Sequence, residues 1–295
     1  MQVSVLTPVY NAEPYLREAV ESAVAQDETV EVILVEDGST DGTRALCEQL
    51  EHEYPKVRLL GFTDGREHWI GDKYNLALQH ASSEYIAFLE ADDYYHPGRF
   101  ERAQELFESN PEIDGVYEAV EFLFETPRAE RLFLESDMNA DAMHTFRRHV
   151  EPEDLFEEQL PFGTAGWCHA NGWTVKRSVF DVIGRIDNVR GWDTIQFMKF
   201  AACGRMVAGR LDEPVAVWRL HETNDSFPKP LPEVVHSVQQ GLFETMWRWA
   251  LKRLSVRRRH VVLMRLLAHS AKVVPPPPES RSDGPISSPA SSFSV

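Results

Sequence analysis

The chain has 295 residues, 43% of them hydrophobic, and a formal net charge of −17 at pH 7. Its length allows one large domain or two small ones with a sizeable core, and its acidic balance excludes a general nucleic-acid-binding protein, which would carry a basic surface. The three cysteines, Cys47, Cys168 and Cys203, are too far apart to suggest a disulfide framework or a zinc site, and they suit a reducing compartment.

Strand-like and helix-like segments alternate through residues 1–110. Short β-branched apolar runs predict strands at 3–7, 30–36, 57–62 and 85–90. Apolar residues at helical spacing predict helices at 14–26, 41–54, 72–82 and 97–110. This alternation predicts an α/β fold with a doubly wound, mostly parallel sheet. Ligands bind such a sheet beyond the carboxyl ends of its strands, and those ends carry the polar stretches TPVYN, EDGSTDG, GFTDG and EADD.

The alternation is weaker in the second half of the chain. There the pattern predicts a strand, a strand followed by a helix, a helix and a strand, at 114–124, 172–187, 194–204 and 213–221. The charged stretch at 125–159 shows no clear periodicity.

Acidic residues stand at two of the predicted strand ends. Asp37 can accept hydrogen bonds from a nucleotide base or ribose, although a turn followed by a helix N-cap explains the same residues. Glu90, Asp92 and Asp93 place three carboxylates within four residues. Because like charges so close repel, this stretch is either a solvated loop or a site for a cation such as Mg²⁺ or Mn²⁺.

Two common nucleotide-binding motifs are missing. The glycine-rich dinucleotide fingerprint does not follow the first predicted strand, where TPVYNAEPYL stands instead, and the P-loop pattern occurs nowhere in the chain. Neither a dinucleotide cofactor nor P-loop chemistry is therefore expected.

Four stretches together resemble the family 2 glycosyltransferases of GT-A fold: VSVLTPVYNAEPYLREAVESAVAQ, VEVILVEDGSTDGT, DKYNLALQHASSEYIAFLEADD and GWDTIQFMKFA. The resemblance covers roughly Val3–Ser226 and implies a Rossmann-like GT-A domain at 1–228, with a nucleotide-binding half at 1–110 and an acceptor half at 111–228. It implies inverting, Mn²⁺- or Mg²⁺-dependent transfer of a sugar from a nucleotide-diphosphate sugar to an acceptor hydroxyl. The acceptor expected is a glycan, such as a cell-envelope polysaccharide, a lipid-linked saccharide or another hydroxyl compound. The absence of Q-x-x-R-W favours a single addition over processive synthesis.

The resemblance also implies which residues bind the nucleotide and the metal. The expected nucleotide contacts are Thr7, Pro8, Tyr10, Glu13, Asp37, Lys73, Asn75, Glu90 and Asp92. Lys73 stands where the family has Arg, so it supplies charge but not a bidentate fork. Glu90 occupies the first D-x-D position with a side chain one methylene longer than Asp. The expected metal ligands are Asp92 and His221, the latter within an H-x-x-N-x-S pattern, although a structural role explains a lone histidine equally well.

Asp193, in RGWDTIQF, matches the catalytic base of the family, which takes the proton of the acceptor hydroxyl. The alternative is that Asp193 only caps a helix. Contacts to the donor or acceptor sugar are expected from Asp93, Trp167, Trp173 and Trp192, although aromatic residues are as often part of a core.

The composition changes toward the C-terminus. A basic helical extension is predicted at 229–273, and between Arg248 and Lys272 it has eight Lys or Arg and no Asp or Glu. It can lie on an anionic membrane surface, or pack against the catalytic domain or a partner chain. The Pro/Ser-rich tail at 274–295 is expected to be disordered. No run of 18 apolar residues occurs, and the N-terminus is expected to form a strand and not a signal peptide. A cytoplasmic protein, with peripheral contact to the inner face of the membrane as a further possibility, is therefore expected.

Two other functional classes stay open. A nucleotidyltransferase on a similar sheet would need a glycine-rich, basic loop after the first strand, and TPVYNAEPY does not provide one. A non-catalytic nucleotide- or carbohydrate-binding module would keep the fold. Asp193 and the acidic stretch argue against such a module, whereas Glu90 and Trp192, which depart from the family pattern, leave room for it.

Overall fold

The computed structural model of the chain describes residues 1–64, 66–135, 149–159, 169–224, 244–256, 259–260 and 263–264. In chain order the strands are β1 (Val3–Val9), β2 (Thr29–Glu36), β3 (Val57–Gly61), β4 (Tyr85–Phe88), β5 (Tyr94–Tyr95), β6 (Gly115–Tyr117), β7 (Val120–Phe124), β8 (Trp173–Lys176), β9 (Met206–Ala208) and β10 (Ala216–Leu220). The helices are α1 (Leu16–Val24), α2 (Thr43–Glu53), α3 (Ile70–His80), α4 (Glu101–Ser109), α5 (Pro127–Leu134), α6 (Pro152–Gln159), α7 (Val179–Ile183) and α8 (Trp192–Cys203). A further helix, α9, spans 244–253.

Within these residues the larger sheet has the strand order β3-β2-β1-β4-β8-β6-β9. β1 pairs in parallel with β2 on one side and with β4 on the other, while β8 runs antiparallel between β4 and β6. The direction in which the chain adds strands reverses at β1, and this reversal opens a crevice beyond the carboxyl ends of β1 and β4. The predicted α/β fold with a mostly parallel sheet is confirmed.

Both faces of the sheet are covered, which explains why β1 and β2 are apolar almost throughout. Successive side chains of a strand point to opposite faces. Val5 packs in the cluster that contains Leu16 and Leu50, from α1 and α2. Its neighbour Leu6 packs in the cluster that contains Tyr74 of α3 and much of α8. At the strand ends, residues 1–110 therefore present their loops to solvent.

A second, smaller sheet lies at the carboxyl edge of the first and has the order β5-β10-β7. The prediction of one continuous strand at 114–124 was wrong, because β6 and β7 belong to different sheets. The chain breaks between them at Glu118, whose buried carboxylate pairs with Arg99. A hydrophobicity pattern cannot reveal that Arg99 is the partner of Glu118. The sequence therefore predicted one continuous strand. The stretch at 125–159, which had no pattern, contains α5 and α6.

The start of the basic extension packs on the core. Met246, Trp249, Ala250 and Leu254 are buried in the same cluster as α8. The indole of Trp249 donates to the carbonyl oxygen of Ile183 at 2.9 Å. This part of the extension therefore packs against the rest of the domain, as one of the two alternatives predicted. Contact of the extension with a membrane stays a prediction. The predicted tail at 274–295 lies outside the described residues. Across the described ranges, no helix has the length and apolar character required to cross a bilayer.

Candidate active site

The three carboxylates after β4 lie on a tight turn, Glu90–Asp93, called here the acidic turn. The backbone N–H of Asp93 closes it by donating to the carbonyl oxygen of Glu90 at 3.1 Å. The Asp93 side chain is buried, and one of its oxygens accepts the backbone N–H of Arg219 at 2.7 Å. Burial raises the pKa of Asp93 well above its ordinary value, and the charges of Asp92 and Glu90 raise it further. The turn therefore concentrates negative charge that a proton or a cation would stabilise.

Asp92 points to the opposite side of the acidic turn, toward the residues that follow β10. Its Oδ2 lies 3.1 Å from Nε2 of His221 and 3.3 Å from Nδ2 of Asn224. β10 pairs antiparallel with β5, which directly follows the acidic turn, so the end of β10 returns to Asp92. The structure thus brings together the two predicted metal ligands, although they are 129 residues apart in sequence.

Arg219 of β10 contacts both the acidic turn and two acidic side chains outside it. Its Nε donates to the carbonyl oxygen of Asp92 at 2.8 Å. Its guanidinium pairs with Glu18 and with Glu125, the latter at 3.3 Å, and lies over the ring of Tyr15. Burial and the hydrogen bond to Glu125 raise the pKa of Tyr15 to about 12, so its hydroxyl stays protonated. Arg219 thus fixes the backbone of the acidic turn to the smaller sheet.

The inner side of the acidic turn meets the chain just before β8. Because β8 is antiparallel to β4, the residues that precede β8 lie beside the residues that follow β4. There the 3-10 turn Ala170–Gly172 places Asn171, whose Nδ2 donates to Oδ2 of Asp93 at 2.6 Å. Gly172 is required because a Cβ at that position would lie 2.3 Å from the carbonyl oxygen of Glu118.

His169 completes a second group of possible metal ligands. In the described part of the chain, Glu90, Asp93 and His169 are the three metal-ligating side chains whose ligand atoms lie within 4.8 Å of one another. Burial lowers the pKa of His169 to about 3, so its imidazole is neutral. Its Nδ1 accepts the backbone N–H of Asn171 at 3.3 Å, and its Nε2 lies 3.8 Å from Glu90. Sequence reasoning did not single out His169 or Asn171, since neither stands in a motif at a strand end.

A buried ion pair is hydrogen-bonded to the 3-10 turn. The side chains of Arg99 and Glu118 are 0% exposed and are joined at 2.9 Å. Arg99 also donates to the carbonyl oxygens of Asn171 at 3.0 Å and Trp173 at 3.1 Å. Burial raises the pKa of Glu118, an effect that Arg99 opposes. The pair therefore joins Glu118 to the 3-10 turn, whose Asn171 in turn contacts the acidic turn.

We expect the Arg99→Met variant to lose about 3–5 kcal/mol of unfolding free energy, because it leaves the Glu118 carboxylate buried without its partner. Urea unfolding of the purified variant measures this loss. The double variant Arg99→Met/Glu118→Leu should recover part of it, since the uncompensated charge is then gone. A loss in Arg99→Met below about 1 kcal/mol would contradict the account, because exposed ion pairs already reach that value.

Asp37 lies at the end of β2, as predicted, but protein groups already surround its carboxylate. One oxygen is 2.7 Å from Nδ1 of His68, and the other accepts the backbone N–H of His68 at 2.9 Å and pairs with Lys73 at 3.0 Å. The imidazole of His68 stacks on Phe62, with ring centroids 3.5 Å apart, and reaches Asp64. A nucleotide base that contacts Asp37 must therefore share or displace the His68 contact.

We expect the contribution of His68 to stability to decrease as the pH rises. Burial acts to lower the pKa of His68, but its hydrogen bonds to Asp37 and Asp64 outweigh burial and raise it. A group whose folded pKa is raised stabilises fully below its unfolded pKa, and loses that contribution as the pH rises through its folded pKa. The difference in unfolding free energy between wild type and His68→Gln should therefore be larger at about pH 6 than at about pH 9. An equal difference at both values would contradict the ion pair.

The other predicted nucleotide contacts differ in how accessible they are. Tyr10 is 45% exposed, with Nζ of Lys73 5.3 Å from its ring centroid. Glu13 accepts the backbone N–H of Gly42 at 2.8 Å, at the start of α2. Asn75 is buried and uses both ends of its amide on the backbone of Ile186, at 2.8 and 3.0 Å.

Thr7 and Pro8 lie within β1, where they pair with Leu34 and Val35 of β2. The Thr7 hydroxyl is buried and has no hydrogen-bond partner. Among the nucleotide contacts predicted on β1 and in the loop after it, Tyr10 is thus the exposed aromatic side chain that a nucleotide could contact.

Asp193 lies in the first turn of α8, one residue after Trp192. The N-cap of this helix is Gly191, which has φ 73°, a conformation that favours glycine. Asp193 is therefore not the N-cap residue, although an acidic side chain in the first turn also interacts favourably with the helix N-terminus. Its role as the base stays a prediction. Trp192 is 7% exposed and packs on Tyr74, with ring centroids 4.7 Å apart, and on Phe88 of β4 at 6.2 Å. This packing holds the start of α8 near the end of β4.

The Tyr74 hydroxyl is fully buried and has no hydrogen-bond partner among the described residues. Burial raises its pKa well above the ordinary value, and the charges of Glu90, Asp93 and Asp193 raise it further. Because Trp192 packs on both Tyr74 and Phe88, Asp193 stands next to a residue that contacts the end of β4.

Of the three tryptophans predicted to contact a sugar, Trp173 is 0% exposed. It packs edge-on against Phe88 and Phe200, so it has no free face on which a sugar could stack, and that prediction was wrong. Its place in β8, between two other strands, explains its burial. Trp192 is mostly covered by Tyr74 and Phe88. Trp167 lies outside the described residues.

Comparison with known proteins identifies a family. The sequence matches the model described as Glycosyl transferase family 2 over residues 4–183. An uncharacterized glycosyltransferase of Nostoc sp. (strain PCC 7120) is 29% identical over 232 residues, which are 76% of this chain and 66% of that protein. The minor teichoic acid biosynthesis protein GgaB of Bacillus subtilis is 34% identical over 117 residues, which are 38% of this chain and 13% of that protein. The chain thus spans about two thirds of the first relative and a small part of the second.

Solved structures share the fold at low identity. Staphylococcus aureus TarS 1–349 in complex with UDP-GlcNAc has a TM-score of 0.65 and 18% identity, over 96% of this chain and 75% of that one. Glucosyl-3-phosphoglycerate synthase from Mycobacterium tuberculosis, in complex with Mn²⁺, UDP and glucosyl-3-phosphoglycerate, has a TM-score of 0.52 and 13% identity, over 84% and 79% of the two chains. These matches agree with the α/β architecture described above.

Proposed function

The chain belongs to glycosyl transferase family 2, and on this premise we propose that it performs the inverting, metal-dependent transfer of a sugar from a nucleotide-diphosphate sugar to an acceptor hydroxyl. The observation that carries the proposal is that Asp92, in the acidic turn (Glu90–Asp93) after β4, and His221, after β10, lie 3.1 Å apart. Trp192, the residue before Asp193, packs on Phe88 at the end of the same strand β4, with ring centroids 6.2 Å apart. A candidate metal-binding pair and a candidate base thus both lie near the carboxyl end of β4.

The donor atoms around Asp92 suit a divalent cation such as Mn²⁺ or Mg²⁺. Oδ2 of Asp92 and Nε2 of His221 are 3.1 Å apart, near the separation of adjacent ligands in an octahedral site with bonds of about 2.1 Å. Nδ1 of His221 lies 2.9 Å from the hydroxyl of Thr223. A ligating histidine commonly donates its other ring N–H to such a partner.

Asp92 is the better candidate ligand within the acidic turn. Its side chain is 25% exposed, whereas Asp93 is 1% exposed and both of its oxygens already accept hydrogen bonds. We therefore assign the cation to Asp92 and His221. Glu90, with Asp93 behind it, lines the side of the space that the donor ribose or sugar would occupy.

The proposed reaction is a single displacement at the anomeric carbon. Asp193 takes the proton of the acceptor hydroxyl as that oxygen attacks, and the bond to the nucleoside diphosphate breaks. The cation, when bound, offsets the negative charge that develops on the leaving diphosphate. Because the attacking oxygen enters opposite the leaving group, one base on the acceptor side is sufficient and the configuration inverts.

The nucleotide is proposed to bind along the ends of β1 and β2. The exposed ring of Tyr10 can stack on the base, and Asp37, at the end of β2, is held in place by Lys73 for contact with the base or ribose. GDP-Man is bound with Mn²⁺ in a mannosyltransferase from Pyrobaculum calidifontis, and UDP-GlcNAc is bound in TarS, so guanine and uracil nucleotide sugars are both candidate donors for this chain.

Relatives indicate the kind of acceptor. GgaB is named for minor teichoic acid biosynthesis, and TuaG, 35% identical over 104 residues that are 40% of its length, for teichuronic acid biosynthesis. We propose that the acceptor is a cell-envelope glycan or a lipid-linked saccharide, and that one sugar is added per binding event. The two described cysteines, Cys47 and Cys203, do not form a disulfide with each other, which is consistent with a reducing compartment such as the cytoplasm.

A thermal-shift screen of nucleotide sugars tests the proposal. Ligand stabilisation increases as RT ln(1 + [L]/Kd), so the true donor should raise the melting temperature most, and only when Mn²⁺ or Mg²⁺ is present. Stabilisation by a nucleoside triphosphate but by no nucleotide sugar would favour the nucleotidyltransferase. Stabilisation by a nucleotide sugar with no cleavage of it would favour the binding module.

A further inference from the structure

We propose that Asn171 is a positioning residue that sets the shape of the acidic turn and, through it, the affinity of the site for a divalent cation. The inference rests on the proposed function, because it concerns the same cation. No motif led to Asn171, and its role follows from contacts between the two halves of the domain.

Asn171 holds both ends of the acidic turn with one side chain. Its Oδ1 accepts the backbone N–H of Glu90 at 3.1 Å, and its Nδ2 donates to Oδ2 of Asp93 at 2.6 Å. Asp92 lies between these two residues, so the direction of its carboxylate toward His221 depends on a turn that the amide clamps at its first and last positions. A side chain needs both a donor and an acceptor to make this clamp, and the amide of asparagine has both.

Asn171 is itself held rigidly. It is 0% exposed, its backbone N–H donates to Nδ1 of His169 at 3.3 Å, and its carbonyl oxygen accepts Nε of Arg99 at 3.0 Å. Arg99 is in turn fixed by its buried pair with Glu118. Because no solvent reaches the amide, water cannot easily replace either of its hydrogen bonds if the side chain is changed.

The chemistry of the amide explains why a neutral donor is suitable here. Asp93 is buried in the acidic turn next to Asp92, and the Asn171 amide contacts its Oδ2. An amide N–H stabilises the Asp93 carboxylate without cancelling its negative charge. A lysine or arginine in the same place would pair with the carboxylate and reduce the attraction of the acidic turn for a cation. Asn171 therefore keeps the turn ordered and still negative.

The test is direct measurement of Mn²⁺ binding, from the loss of the free-ion EPR signal, with and without UDP. Asn171→Leu removes both hydrogen bonds at similar volume, and Asn171→Ser does so with a smaller side chain that should fold if leucine does not. Changes to groups that orient metal ligands typically cost 10- to 100-fold in metal affinity, so we expect the Mn²⁺ Kd to increase at least about 10-fold in both variants.

Glu31→Gln is the matched control. Glu31 is also buried, and it makes three hydrogen bonds to Ser4 and Ser82 within 2.7 Å. It lies in β2, away from the acidic turn. We expect this variant to lose thermal stability like the Asn171 variants but to keep the wild-type Mn²⁺ Kd, which separates positioning from general destabilisation.

A folded Asn171→Leu or Asn171→Ser protein whose Mn²⁺ Kd stays within twofold of wild type would overturn the inference while leaving the proposed function intact. A wild-type protein that binds no Mn²⁺, with or without UDP, would overturn the proposed cation site and the inference with it. The two failures are therefore distinguishable in one titration series.

Discussion

The Asp193→Asn variant should lose about 10²- to 10⁴-fold in kcat for transfer to acceptor, the contribution usual for a general base. The amide is nearly isosteric with the carboxylate but cannot take a proton at neutral pH. The KM for the donor should change little, because the proposed role of Asp193 is to deprotonate the acceptor and not to bind the donor. Steady-state transfer assays at varied donor concentration separate these two parameters.

Asp181→Asn is the matched control for this variant. Asp181 also lies in the first turn of a short helix, α7, and is exposed. Removing its charge should leave kcat unchanged if the effect of Asp193→Asn is catalytic. Near-normal transfer by Asp193→Asn would exclude Asp193 as the base.

The Asp92→Asn variant should lose the response to metal. A bound cation contributes several kcal/mol of transition-state stabilisation, so activity should fall about 10²- to 10³-fold, at roughly 1.4 kcal/mol per factor of ten. The variant should also bind Mn²⁺ much more weakly, because it removes the charged ligand beside His221. Mn²⁺ titration of activity and direct ion binding measure the two effects independently.

Glu121→Gln provides the comparison for Asp92→Asn. Glu121 is a carboxylate of the smaller sheet that pairs with His96 at 2.7 Å, and it has no contact with the acidic turn among the described residues. Its loss should leave the Mn²⁺ response unaltered. Equal loss of metal binding in both variants would indicate a general effect of surface charge and not a cation held by Asp92.

Sequence reasoning located the parts of the site that stand at the ends of parallel strands. Asp37 follows β2 and the acidic turn follows β4, and local patterns reveal both because strand ends converge in this fold. The meeting of Asp92 with His221 depends instead on β10 running antiparallel to β5. Only the family resemblance could suggest that contact in advance.

Other features depend on contacts that a sequence pattern does not encode. Asn171 bonds Arg99 and the acidic turn across 72 to 81 positions of the chain, and Glu118, the ion-pair partner of Arg99, is 19 positions away from it. Trp173 is an aromatic residue of the kind that stacks on sugars. It is buried because its strand, β8, lies between β4 and β6 in the sheet. The approach of His68 to Asp37 depends on the conformation of a loop, and periodicity gives no information about it.

Release of nucleoside diphosphate from the nucleotide sugar that stabilises the protein most is the most direct test of metal-dependent transfer. The account predicts slow release without acceptor and faster release with one, both abolished by EDTA, restored by Mn²⁺ and nearly absent in Asp92→Asn. Release that is insensitive to EDTA, an equal rate in Asp92→Asn, or nucleoside monophosphate as the product would contradict it.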